Sequence, residues 1–247
     1  MQDMKPVLLI LTGHAPCNIR ARHGDFSHWF RAGSRLTHPI HVVDVVAGEQ
    51  LPAPQKVAGS IITGSAAMVT ERAAWSERTA GWIRHAMDIG LPMFGVCYGH
   101  QLMAHALGGR VDYLPGGREI GTLPISRHAN HNGEIPLSRE LPTRFLAHTT
   151  HEQSVLEAPP CAQVVAGSVR DPNHLLHYGQ HATSVQFHPE FNTDLMRAYI
   201  RRKRHVLREE GRDPHQVLET VTPTPHARSL LQRFVRINNW VNRSEAA

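Results

Sequence analysis

The stretch LPMFGVCYGHQLMAHALGG, residues 91–109, decides the fold of this chain. The apolar run at 91–96 predicts a buried strand, and apolar residues at helical spacing follow almost at once. Between them, Cys97 lies at a sharp turn with Gly95 and Gly99 two positions to either side. Strained nucleophile turns need small residues at those positions. The stretch therefore predicts a nucleophilic Cys97 at a helix N-terminus, where the helix dipole favours the thiolate.

The alternative interpretation of Cys97 is a buried apolar cysteine beside an ordinary loop, because free cysteines are commonly buried. The chain has three cysteines, an odd number at wide spacing, the others being Cys17 and Cys161. They form no C-x-x-C pair, so neither a disulfide framework nor a thiolate zinc site is indicated. Reduced thiols are compatible with a catalytic cysteine.

Length and composition indicate a globular protein of one large domain or one domain with an appendage: 247 residues, 41% hydrophobic and 19% charged. No apolar run approaches the roughly 18 residues of a membrane span, and no signal peptide is recognisable. We expect a cytoplasmic protein without a membrane partner. The net charge of +5 is dispersed. Its one cluster, residues 201–204, lies in a predicted helix and indicates a solvated face, so no nucleic-acid partner is expected.

The first half of the chain alternates strands with helices. Apolar runs predict strands at 7–11, 40–46, 59–63 and 91–96, and amphipathic spacing predicts helices at 25–36, 73–87 and after Cys97. This order favours an α/β fold with a parallel sheet covered on both faces, and with ligand sites at the carboxyl ends of the strands.

Beyond residue 110 the runs become short and β-like, which predicts an antiparallel extension of the same domain. These runs lie at 120–126, 145–149, 163–169, 174–177 and 183–187. Helical patterns return at 191–207 and in a last amphipathic segment from Leu230 to Trp240. We predict one domain at 1–204 and a C-terminal helical extension at 205–247.

The predicted partner of Cys97 lies in Ser184–Phe191, SVQFHPEF. A cysteine nucleophile needs a histidine to exchange its proton, and that histidine needs an acceptor to orient it. His188 and Glu190 follow a strand end, where a carboxylate and an imidazole two residues apart can meet. On its own, this short motif is weak evidence and more typical of a surface turn. Together with the cysteine turn, it predicts a Cys97–His188–Glu190 triad.

With these motifs the chain resembles the class I glutamine amidotransferases, most closely stand-alone members similar to the amidotransferase half of GMP synthase. The resemblance rests on the Cys97 turn and the His188 motif, with lesser matches at 61–65, 119–121 and 151–155. It implies a flavodoxin-like, mostly parallel sheet flanked by helices with a small antiparallel extension. It also implies hydrolysis of the glutamine side-chain amide through a γ-glutamyl thioester.

The resemblance further implies an oxyanion hole of backbone N–H groups from Tyr98 and from the turn at Gly64 and Ser65. Family members usually carry Gly-Gly-Pro there, whereas this chain has Gly-Ser-Ala, which affects the expected geometry and substrate preference. By the same resemblance, Gln101 and the backbone of Glu152 and Gln153 would bind the amino-acid end of glutamine. The alternative is that these three are ordinary polar loop residues without a function.

Three functions stay open on the sequence. The first is a glutamine amidotransferase or glutaminase that releases ammonia, with any acceptor chemistry on a separate synthetase subunit, since no phosphate-binding motif is present. The second is a γ-glutamyl hydrolase acting on a peptide, polyamine or other conjugate, with residues 17–30 and the turn at Ser65 shaping its pocket. The third is a catalytically idle binding protein on the same fold.

The sequence predicts no cofactor and no metal site. The chain has 19 histidines, and the pairs His128/His131 and His148/His151 have i, i+3 spacing, but no set of further ligands lies near them in the sequence. A homodimer is compatible with the sequence.

Overall fold

The computed structural model of the chain describes residues 4–128 and 136–241, so His131 lies outside the described residues. The strands are β1 Val7–Leu11, β2 Ile40–Asp44, β3 Gly59–Ile62, β4 Met93–Val96, β5 Arg110–Tyr113, β6 Glu119–Arg127, β7 Arg144–His151, β8 Gln153–Glu157, β9 Ala162–Gly167, β10 Leu175–Tyr178 and β11 Ala182–Val185. The α-helices are α1 Cys17–His23, α2 Phe26–Ser34, α3 Ala74–Asp88, α4 Tyr98–Ala106, α5 Thr193–Arg202, α6 Arg204–Glu209, α7 Pro214–Glu219 and α8 Pro225–Ile237.

One nine-stranded sheet runs through the molecule in the order β2-β1-β3-β4-β11-β10-β9-β6-β7. The strands from β2 to β11 pair in parallel, and the pairs from β11 to β7 are antiparallel. Strands β5 and β8 form a separate two-stranded antiparallel sheet. The predicted fold class, an α/β fold with a mostly parallel sheet and an antiparallel extension, is confirmed.

The central parallel strand β1 is apolar throughout because both of its faces are covered. All five residues of β1 are buried, and they alternate between two cores. Leu9 packs with apolar residues of α2, α5 and α8, while Leu8 packs with those of α3 and α4 on the other face. The continuous apolar run is therefore the signature of a strand buried on both sides.

Several predicted boundaries were wrong. The strand expected at 183–187 ends at Val185, and the chain then leaves the ladder so that the His188 N–H bonds the His148 carbonyl at 2.8 Å. The run at 163–169 ends at Gly167, and Val169 is 96% exposed beyond it. The helix expected at 191–207 is broken at Lys203 into α5 and α6, and the last helix ends at Ile237, before Trp240.

Helix α1 and the strands β5 and β8 were not predicted, because each is short and carries little apolar periodicity. The C-terminal segment packs on the main core: the Phe234 ring lies 5.1 Å from Phe94 of β4, and Leu230 and Leu231 are buried. The division at residue 204 stays a prediction. Among the described residues, no helix has the length and apolar character needed to cross a membrane.

Candidate active site

Cys97 occupies the strained turn between β4 and α4. Its φ of 53° and ψ of −103° lie outside the regions that non-glycine residues ordinarily adopt, and it caps the N-terminus of α4. A Cβ on Gly95 would lie 2.7 Å from the Gly99 carbonyl oxygen, and one on Gly99 would lie 2.5 Å from the Ile62 carbonyl oxygen. The backbone here is so closely packed that both flanking positions require glycine, as the sequence pattern predicted.

His188 and Glu190 meet beside this turn. The His188 Nδ1 lies 2.7 Å from the Glu190 Oε1, and the imidazole stacks on the Phe191 ring at a centroid distance of 4.1 Å. His188 and Glu190 are each 3% exposed and Cys97 is 6% exposed. Ring stacking and the carboxylate together fix the orientation of the imidazole, which is what a proton-transferring histidine needs.

The groups around the buried His188 favour the protonated form of its imidazole. Burial alone would lower the pKa of His188, but the negative charge of Glu190 and the neighbouring Cys97, together with the hydrogen bond to Glu190, raise it to about 10. An imidazolium beside Cys97 can give a proton to a leaving group and later take one back. The arrangement can therefore supply a nucleophile and a proton donor at neutral pH.

The turn at Gly64 lies directly against these groups. A Cβ on Gly64 would lie 3.2 Å from His188 Cε1 and 3.5 Å from Cys97 Cβ. The Gly64 carbonyl accepts from the Thr12 hydroxyl at 3.1 Å, and the Ser65 hydroxyl accepts from the Ala67 N–H at 3.0 Å, so both residues are held in place. The Tyr98 N–H begins α4 and has no acceptor within the helix. The predicted oxyanion-hole residues thus lie around Cys97.

Gln101 is buried in α4, and both of its amide protons are in use. Its Nε2 donates to the Gln153 carbonyl at 2.6 Å and to the Gln186 Oε1 at 2.9 Å. Because a backbone carbonyl only accepts, this nitrogen placement is fixed. Only the Gln101 Oε1 is left to bind a further group, and it can only accept a hydrogen bond.

Glu152 and Gln153 connect the site to its surroundings. The Glu152 carbonyl accepts from the Leu114 N–H at 2.8 Å, and its carboxylate lies 2.6 Å from the Arg118 Nη1 and 3.5 Å from the Lys203 Nζ. The Gln153 side chain donates to the Thr70 hydroxyl at 2.6 Å. The structure thus gives these two residues clear internal contacts as well as a place next to Gln101.

An aromatic wall behind His188 was not identified from the sequence. It consists of Phe26 and Trp29 of α2, Phe191, and Tyr199 of α5. The Trp29 ring lies 5.6 Å from that of Phe191 and 6.4 Å from that of Tyr199. Burial raises the pKa of the Tyr199 hydroxyl, and the charges of Glu190 and Cys97 raise it further. The sequence indicates this wall only through the aromatic residues of the segment 17–30, which is predicted to shape a pocket.

Solved structures share this fold. A glutamine amidotransferase from Thermotoga maritima superposes with a TM-score of 0.73 at 21% identity, covering 95% of this chain and 98% of its own. A glutamine amidotransferase from Methylobacillus flagellatus gives 0.71 at 20% identity, covering 96% and 94%. These similarities establish the fold.

Among curated relatives, GMP synthase of Thermomicrobium roseum is 37% identical over 132 residues, 53% of this chain but only 23% of that protein. Gamma-glutamyl peptidase 4 of Arabidopsis thaliana is 29% identical over 148 residues, 58% of this chain and 57% of the peptidase. The chain thus spans about a quarter of the first relative and somewhat over half of the second. The family model for glutamine amidotransferase class-I matches residues 28–206. The chain therefore belongs to the class I glutamine amidotransferase family.

Proposed function

We propose that this protein hydrolyses the side-chain amide of glutamine through a Cys97–His188–Glu190 triad. The observation that carries the proposal is the strained Cys97 at the start of α4, beside an imidazole that Glu190 holds at 2.7 Å. Each of the three groups supplies one part of the chemistry, and all three are nearly excluded from solvent. The family to which the chain belongs supports this class of enzyme.

In the first step, the Cys97 thiolate attacks the side-chain carbonyl carbon of glutamine, and a negative charge develops on the carbonyl oxygen. The N–H groups of Tyr98 and Ser65 would stabilise that charge. The His188 imidazolium then gives its Nε2 proton to the leaving nitrogen as the C–N bond breaks. Ammonia departs, and the γ-glutamyl group remains as a thioester on Cys97.

In the second step, the now neutral His188 takes a proton from water, and the oxygen attacks the thioester carbonyl. The C–S bond breaks, glutamate is released, and the Cys97 thiolate and His188 imidazolium are regenerated. Glu190 stabilises the imidazolium at the start and end of the cycle without itself changing protonation state. The raised pKa of His188, about 10, favours this resting charge state.

Gln101 would contribute to substrate binding through its Oε1, since both of its N–H groups are occupied. An acceptor suits the α-ammonium group of glutamine and does not suit its α-carboxylate. Gln101 contacts the Gln153 carbonyl. The backbone of Glu152 and Gln153 would bind the rest of the amino-acid end of glutamine. We expect substrates that lack the α-amino group to bind more weakly.

A second candidate is a γ-glutamyl hydrolase that uses water as its only acceptor. The similarity to a γ-glutamyl peptidase over 57% of that protein favours it, as does the Gly-Ser-Ala turn at Gly64 where most family members have Gly-Gly-Pro. If glutamine is the substrate, the relation to GMP synthase favours a separate synthetase domain or subunit as the consumer of ammonia.

The decisive assay offers glutamine and a panel of γ-glutamyl dipeptides and polyamine conjugates to the purified protein, with ammonia and free glutamate as readouts. We expect turnover that Cys97→Ala reduces by roughly 10⁴-fold or more, because the covalent route is lost. Cys161→Ala, which changes an exposed thiol, is the matched control and should leave the rate within about twofold. The substrate with the largest kcat/KM separates the two candidates, and no turnover of any substrate would overturn both.

A further inference from the structure

Four buried side chains converge on one point in the antiparallel half of the molecule. Glu119, His151, Asp171 and His174, here termed the Glu119 cluster, each offer one nitrogen or oxygen atom, and these atoms all lie within 4.8 Å of one another. They come from β6, the end of β7, and the segment before β10. The proposed glutamine chemistry uses none of them. Two imidazoles and two carboxylates are a common ligand set for divalent transition metals.

The spacing of these atoms suits four-coordinate binding. The Glu119 Oε2 lies 2.8 Å from the His174 Nε2 and 3.2 Å from the His151 Nε2, and the Asp171 Oδ2 lies 3.7 Å from the His174 Nε2. A tetrahedral zinc ion with bonds of about 2.0–2.1 Å separates neighbouring ligand atoms by about 3.3 Å. These three distances lie within about half an ångström of that value.

The outer contacts of His151, Glu119 and Asp171 follow the pattern around metal ligands, whereas the Nδ1 of His174 has no hydrogen-bond partner among the described residues. The His151 Nδ1 lies 3.0 Å from the Gln153 carbonyl, which only accepts, so the proton is on Nδ1 and the Nε2 lone pair is available to a metal ion. The Ser168 hydroxyl donates to the Glu119 Oε1 at 2.6 Å, and the Ser154 hydroxyl donates to Asp171. Metal-bound histidines and carboxylates usually have such second partners.

Charge balance gives an independent argument. Glu119 is 4% exposed and Asp171 is fully buried, so two carboxylates share a space that is closed to bulk solvent. The Arg170 Nε lies 3.8 Å from the Glu119 Oε1, but 40% of that side chain is exposed, which limits its compensation. Buried charges need close compensation. A divalent cation between the four ligands neutralises both carboxylates at once.

We propose that the Glu119 cluster binds one divalent transition-metal ion of the zinc type in a closed, structural site. All four ligands come from the protein, which leaves no coordination position for a substrate. The ion would also fix the Gln153 carbonyl through His151, and that carbonyl is the one that Gln101 contacts. The competing explanation is a metal-free network in which both histidines carry a proton on each nitrogen.

The test uses the full chain without an affinity tag, stripped with a chelating resin and titrated with Co²⁺. We expect a saturable visible spectrum typical of tetrahedral cobalt at about one equivalent, without a thiolate charge-transfer band, because no cysteine belongs to the cluster. Zn²⁺ should displace the cobalt and raise Tm by about 3 °C or more. Elemental analysis of the Zn²⁺-equilibrated protein gives the stoichiometry.

His174→Gln should weaken metal binding by at least about tenfold, since it removes one of four ligands. The matched control is His105→Gln, because His105 also contacts a carboxylate, Glu77 at 3.1 Å, but lies outside the cluster; it should bind metal normally. If His174→Gln fails to fold, the cobalt spectrum of the unaltered chain still decides. No saturable spectrum and no change in Tm with Zn²⁺ would overturn the proposal. None of these readouts depends on glutamine turnover, so the two proposals can fail separately.

Discussion

The two halves of the sheet hold their polar residues in different ways. In the parallel half, Cys97 is positioned by backbone conformation, within a stretch of about twenty consecutive residues. In the antiparallel half, the Glu119 cluster is held by side-chain contacts between residues 119 and 174, which lie on different strands and loops. The first arrangement depends on residues that are close together in the sequence, whereas the second forms only when the strands have paired.

Different interactions stabilise the turn and the cluster. A strained turn is maintained by the packing around it, so its function depends on glycines that have no side chain. A buried polar cluster is maintained by complete pairing, so each member that loses its partner leaves an unsatisfied group in an apolar space. Substitutions at the turn should therefore act through packing and backbone strain, and substitutions in the cluster through polar groups that lose their partners.

After Cys97→Ala, the largest effect should come from Glu190→Gln, which removes the carboxylate that helps to hold the pKa of His188 at about 10. The protonated imidazole donates to the leaving nitrogen, so activity is present below this pKa and is lost as the pH rises through it. The variant should move the alkaline limb of kcat/KM to lower pH and reduce kcat/KM by roughly 10²–10⁴-fold.

The control for that pH profile is Glu157→Gln, which changes an exposed carboxylate paired with Arg110. Its profile should superpose on that of the unaltered protein. An alkaline limb that stays in place in Glu190→Gln would mean that Glu190 does not set the protonation of His188.

The next effect should come from Gly99→Ala, because its Cβ would lie 2.5 Å from the Ile62 carbonyl oxygen and the backbone would have to move. We expect the free energy of unfolding to fall by about 1–3 kcal/mol, measured in urea, as for other overpacked sites. The control is Gly81→Ala inside α3, where the nearest atom is the Arg84 Nη2 at 3.7 Å. It should stabilise the protein by up to about 1 kcal/mol. If both substitutions changed the free energy of unfolding in the same direction, the turn would have no particular requirement for glycine at position 99.

The smallest effect should come from Thr70→Val, which removes the hydroxyl that accepts from the Gln153 side chain at 2.6 Å and thereby connects the two halves. Valine keeps the shape of the threonine side chain and one hydrogen bond is lost, so the free energy of unfolding should fall by about 0.5–1.5 kcal/mol. Thr222→Val, at an exposed threonine, should stay within about 0.5 kcal/mol. Equal urea midpoints for the two variants would show that this contact contributes nothing.

The contrast between the halves explains what could be predicted from the sequence. The Cys97 turn, its flanking glycines and the His188–Glu190 contact could be predicted because each depends on residues that are adjacent or two apart. The short strands β5 and β8 could not, because they form only by pairing with each other across a long stretch of sequence. The surroundings of His151 show the same limit: its neighbour in the sequence, His148, is no part of the cluster, whereas Glu119 and His174 are.

The burial of Cys97 also bears on its chemistry with oxidants. At 6% exposure, Cys97 is largely covered by its neighbours, so we expect a small molecule such as hydrogen peroxide to reach it more readily than a bulky disulfide. The reaction of a cysteine with peroxide gives a sulfenic acid, and at Cys97 this product would remove the proposed nucleophile. Cys17 and Cys161 are exposed, and they are the sites where glutathione or another chain would attach first. The packing around this turn should therefore limit the size of the molecules that can modify Cys97.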